Sequence, residues 1–123
     1  MQKPVSPEDR EQIINYMDPI TNTVLEGFTE NDYNKYTKFF DEQMKNAMPE
    51  SVFKQTRDLI ISKIGNHESH ELWDILREDQ YIIMLYSGKF EKEDDVTIKI
   101  VFQEYLNSPL VSGLWFDSPK LRS

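Results

Sequence analysis

Cysteine is absent from this chain, which removes disulfides, thiolate zinc sites and cysteine nucleophiles from consideration. Its two histidines, His67 and His70, stand close together. No run of about 18 apolar residues occurs, so no segment is expected to span a membrane. Basic residues are also scarce, 14 against 22 acidic ones for a net charge of -8, and they form no block. Phosphate backbones repel such a surface, so neither nucleic acid nor anionic lipid is an expected partner. Equally missing are a glycine-rich phosphate loop, a defensible Ser/His/Asp order and any EF-hand spacing around Asp94-Asp95. The start, Met1 to Pro7, lacks an apolar signal core and reads as a polar tether. It fits a cytosolic start and equally an exported chain whose leader has been removed. The acidity is that of an ordinary solvated protein, and the compartment stays open.

What is present describes one globule. The 123 residues suit one domain able to build a core unaided, and 38% hydrophobic content supports folding over disorder. Ser6 with Pro7 marks a helix start. Ile13, Ile14, Met17, Val24, Leu25 and Phe28 recur at helical spacing. Pro19 interrupts that run, and the reading favoured is a first helix ending there, with Asp18 capping a new one that Gly27 closes. The division follows: residues 1–17 as tether and first helix, residues 18–123 as a single domain. Asn31 or Asp32 caps a further helix carrying Tyr33, Tyr36, Phe39 and Phe40 on one side, and Asp41 or Glu42 opens a short turn of helix. Pro49 stands just inside a helix with Val52, Phe53, Thr56, Leu59, Ile60 and Ile64 inward, which Gly65-Asn66 stops.

Beyond Gly65 the period changes to two. His67 to Arg77, Tyr81 to Phe90, Val96 to Tyr105 and Leu110 to Phe116 are expected strands, with Glu91 to Asp95 as a hairpin loop and Asn107-Ser108-Pro109 as a turn. Val96, Ile98, Ile100 and Phe102 mark one core face. The expected class is α+β, with N-terminal helices packed on a curved antiparallel sheet, all helices before Asn66 and all strands after it.

The Gly27-Phe28 to Asp32-Tyr33 turn, Phe39 to Lys45, Met48-Pro49-Glu50, Lys89 to Lys92 and Gly113 to Phe116 resemble an uncharacterised bacterial and archaeal family, domain of unknown function 3887, over roughly Asp18 to Phe116. That family is similar to the cystatin-like cone, or nuclear-transport-factor-2-like, fold. The resemblance implies a sheet wrapped around a long helix with a cavity at its wide end. Ketosteroid isomerases, polyketide cyclases, transport factors and domains without chemistry share the cone, so fold alone does not choose a function.

Asp32, Tyr33, Tyr36 and Asp41 are the catalytic candidates, because cone-fold isomerases pair a carboxylate base with a tyrosine donor. Helix caps and a core stripe account for the same four residues. Met17, Met44, Met48 and Met84 suit core packing or an adaptable pocket. His67 and His70 lie at i and i+3, which is not the i, i+4 pair of a helical zinc site, and a strand would point them to opposite faces. No tightly bound metal and no cofactor is therefore expected. Tyr81 to Tyr86 is apolar at every position, so both faces of that strand call for burial. Met84, Tyr86, Val101, Tyr105, Val111 and Trp115 are assigned to the outer face as a homodimer interface. The expected function is non-catalytic binding of a small apolar ligand or a protein partner. The alternative is an isomerase-like or cyclase-like enzyme built on a pocket carboxylate and tyrosine.

Overall fold

A computed structural model describes residues 3–103 and 109–123. The chain runs β1 (Lys3–Pro4), α1 (Pro7–Glu30), α2 (Tyr33–Thr37), α3 (Glu42–Ala47), α4 (Glu50–Ile64), β2 (His67–Glu78), β3 (Tyr81–Phe90), β4 (Glu93–Gln103), β5 (Val111–Asp117) and α5 (Pro119–Arg122). The five strands form one antiparallel sheet in sequence order. All five helices send apolar side chains to one face of it, an α+β arrangement consistent with a cone.

The long helix α1 follows from its ends and its stripe. Ser6 accepts the Asp9 amide at 3.3 Å, Pro7 fits the first turn, and Glu8 and Asp9 favour the positive end of the helix dipole. Ile13, Met17, Ile20, Val24 and Phe28 form a buried row against the sheet, and that row continues across Pro19. Pro19 sits on the exposed side, where its missing amide bond is lost to water, so the expected break at Asp18 does not occur. The boundary expected between residues 17 and 18 falls inside this continuous helix. Gly27 does not end it either. Asn31, in the left-handed conformation at φ 57°, does. Gly27 is needed for a different reason: a Cβ there would collide with the backbone of Tyr36, which packs α2 against α1.

Asp32 and Asp41 cap α2 and α3, accepting the amides of Lys35 and Met44. Pro49 occupies the cap position of α4 rather than its first turn. Phe53, Ile60 and Ile64 make a narrower buried stripe than expected, and Leu59 is 57% exposed. The β3–β4 hairpin is tighter than the loop from Glu91 to Asp95, since β4 already begins at Glu93. Its turn closes the end of α4: Lys92 donates to the Ile64 carbonyl at 2.8 Å, and Glu91 accepts the Asn66 amide at 2.6 Å.

The strict order of helices before strands fails at three places. Lys3 and Pro4 pair with Arg77 and Leu76, Phe40 bridges to Val111, and α5 follows the sheet. A proline is tolerated in β1 because that strand is the sheet edge.

The core face carries Ile75, Ile82, Met84, Tyr86, Phe90, Val96, Ile98, Ile100, Phe102 and Val111. This corrects the interface assignment: Met84, Tyr86 and Val111 are buried beneath the helices. Register decides it, because Met84 pairs with Ile100 and Tyr86 with Ile98. An irregularity between Val101 and Phe102 opposite β5 turns Val111 inward beside Phe102. Val101 and Trp115 do lie on the outer face, while Tyr105 falls outside the described residues, as do Asn107 and Ser108 of the expected turn.

Candidate functional site

The four catalytic candidates do not converge. Asp32 is an exposed cap. Asp41 spends one carboxylate oxygen on the Met44 amide and the other on Ser112 Oγ at 2.8 Å and Gln103 Nε2 at 3.1 Å. It therefore clasps α3 to β4 and β5, a clasp reinforced by the exchange of amide bonds between Val111 and the Phe39–Asp41 segment. The Tyr33 hydroxyl donates to the Met48 carbonyl at 2.6 Å, tying α2 to the end of α3. Tyr36 stacks against Phe53 with ring centroids 4.5 Å apart, and burial pushes its phenol pKa up, so it stays neutral.

The cone itself is filled. Phe28, Phe90 and Phe116 meet edge to face at 5.4 to 6.3 Å. Met17 and Met84 are wholly buried in that core, and Met44 and Met48 pack at its margin.

The polar side chains that do converge lie where α1 crosses the start of β2. A bulge between His67 and Ser69 inserts one extra residue, Glu68. That residue shifts the pleat by one, so His67 and His70 point to the same face instead of opposite ones. Their rings meet, with His67 Nε2 3.1 Å from His70 Nδ1. His67 packs edge-on to Phe90 and His70 edge-on to Tyr86, both core residues. The outer nitrogens reach α1: His67 Nδ1 lies 3.2 Å from Thr29 Oγ1, and His70 Nε2 lies 2.7 Å from Asn22 Oδ1. One turn earlier on the same helix, Asp18 accepts the Tyr86 hydroxyl at 2.6 Å.

Burial first, and then the neighbouring His70, lowers the pKa of His67 to about 4. Burial lowers that of His70 too, against the pull of Asp18. Both rings are thus neutral at pH 7. Tyr86 is raised by burial and then by its bond to Asp18. Beside the pair lies an open hollow of about 270 Å³ lined by Asn22, Glu26, Thr29, Glu30 and Glu68 among others. Lys35 pairs with both Glu26 and Glu30 across its rim. Arg57 fixes the end of α1 by donating to the Phe28 and Thr29 carbonyls. Among the described residues, no group of three or more His, Cys, Asp or Glu could hold a metal ion.

Sequence reasoning missed this cluster. The available signal was the spacing of Asp18, Asn22 and Thr29, which puts three polar groups along one side of α1. The bulge that unites the histidines has no such signal.

A sheet covered on one face by helices, a packed cone and a neutral histidine pair define a small α+β domain without a catalytic constellation at the expected residues. The chain belongs to the family described as Protein of unknown function (DUF3887), which it matches over residues 22–107. No curated protein matches it. Among solved structures it is similar to Bd1075 of Bdellovibrio bacteriovorus, at 15% identity with a TM-score of 0.54. That likeness covers 94% of this chain and 44% of that one, so this chain spans less than half of the longer protein. At that identity the likeness concerns the fold alone. Among the described residues, no helix is long and apolar enough to cross a membrane.

Proposed function

We propose that this domain is a non-catalytic docking module whose working surface is the outer face of its sheet, and that the occupant is a second copy of the chain. The observation that carries this reading is the composition of that face. Cross-strand register aligns Leu76, Ile83, Val101 and Gly113 in one row. Asp74, Leu85, Lys99 and Trp115 form the next. Antiparallel sheets that meet water on one side normally present polar residues there. Here the exposed outer face carries a mostly apolar stripe instead. Trp115 is 54% exposed and lies across Gly113, under the Lys99 ammonium at 5.1 Å. Self-complementary burial about a two-fold axis is the commonest way to cover such a stripe.

A small apolar ligand inside the cone is less well supported, since Phe28, Phe90 and Phe116 occupy the space. Isomerase-like chemistry finds less support still, because Asp32 and Asp41 are engaged as caps and the phenol of Tyr86 is spent on Asp18.

Light scattering at micromolar concentration is expected to give twice the chain mass of 14.6 kDa. Trp115→Glu is expected to return it to the single-chain mass with its circular dichroism unchanged. A single-chain mass for the unaltered protein would defeat the dimer.

A further inference from the structure

We propose that His67 and His70 form an open, two-imidazole site for a late first-row divalent metal ion such as zinc. The argument starts from hydrogen-bond direction. Thr29 Oγ1 donates its one proton to the Leu25 carbonyl at 2.8 Å. Toward His67 it can only accept, so His67 Nδ1 is the protonated nitrogen. Asn22 Oδ1 is likewise an acceptor, so His70 Nε2 is protonated. With each outer nitrogen holding its ring's proton, the inner nitrogens, His67 Nε2 and His70 Nδ1, both present lone pairs to each other at 3.1 Å. Two facing lone pairs repel unless a cation lies between them.

The cation could be a proton or a metal ion. Burial makes imidazolium unfavourable at both rings, which favours a Lewis acid that leaves the rings neutral. The spacing also suits a metal. Two imidazoles bound at about 2.0–2.1 Å on a tetrahedral zinc have nitrogens about 3.3 Å apart. The pair needs to open by only a few tenths of an ångström. Thr29 and Asn22 then serve as the outer partners that fix ring orientation at a metal. The hollow of about 270 Å³ leaves room for water at the remaining positions. With two protein ligands, the affinity should be micromolar.

Zinc is titrated calorimetrically into chelator-stripped protein. One equivalent is expected to bind. His67→Gln and His70→Gln are each expected to weaken binding at least tenfold, with folding checked by circular dichroism. Asn22→Asp, which fixes an acceptor opposite His70 Nε2, is expected to tighten it about tenfold. In the unaltered protein, zinc should shift the nitrogen-15 resonances of His67 Nε2 and His70 Nδ1 and spare the outer nitrogens, a readout independent of any variant. The site is overturned by absence of binding, by binding that persists in both histidine variants, by an Asn22→Asp variant that binds no more tightly, or by shifts at the outer nitrogens.

Discussion

At the scale of single residues, the chain uses its carboxylates and phenols to join elements. Asp41 links α3 to two strands, Asp18 links α1 to β3, and Tyr33 links α2 to the end of α3. The titratable groups set apart from this pattern are the histidines. His67 has a pKa near 4 in the folded protein and about 6.5 when unfolded, so between these values the unfolded chain binds more protons. Its contribution to stability is complete above pH 6.5 and is lost as pH falls toward 4. His70, also lowered, acts in the same direction. In the presence of chelator, the melting temperature is therefore expected to decline between pH 6.5 and 5, above the range where most carboxylates protonate. His67→Gln should flatten that decline, and an equal decline in the variant would place its cause elsewhere.

At the scale of elements, α1 is the informative case. Its stripe was legible, since Ile13, Met17, Val24, Leu25 and Phe28 were all assigned to one helical face and all are buried. Its continuity was not, because a proline in the middle of a helix costs about 3 kcal/mol and so reads as a boundary. Tertiary packing on both sides of Pro19 outweighs that cost. Replacing it should recover part of the difference: Pro19→Ala is expected to stabilise the protein by about 1–2 kcal/mol in urea unfolding, once the greater freedom of the unfolded chain is subtracted. Destabilisation would show that the break in the helix ladder is needed for α1 to follow the sheet. Strand phase divided in the same way. The alternation of Val96 to Phe102 was readable because its outward positions include Thr97 and Lys99. Tyr81 to Tyr86 gave no phase because each position is apolar, so Met84 and Tyr86 were placed on the wrong face. The bulge at Glu68 was illegible for a related reason: in a segment of mostly polar residues, an inserted residue leaves no break in the pattern.

At the scale of the whole molecule, the question is how much of the chain is needed to hold the fold. The family match begins at residue 22, and the sequence suggested a division after residue 17. The core begins earlier, with Ile13 at 1% and Met17 at 0% exposure. Each lies in the cluster that includes the aromatic residues of the sheet. Removing a buried side chain of that size costs about 2–5 kcal/mol, so losing both approaches the whole stability of a typical domain, about 5–15 kcal/mol. The loss would also strip α1 of its Ser6 cap and its first three turns, leaving the remainder to start at Pro19. A chain beginning at Asp18 is therefore expected to lack a cooperative thermal transition. One beginning at Val5 keeps the cap and every core residue, and gives up only the two pairs that β1 makes with Leu76 and Arg77. That shorter deletion should melt cooperatively within a few degrees of the full chain. Comparing the two separates a removable edge strand from an essential helix. A cooperative transition in the chain from Asp18 would mean that Ile13 and Met17 cover a core already complete without them.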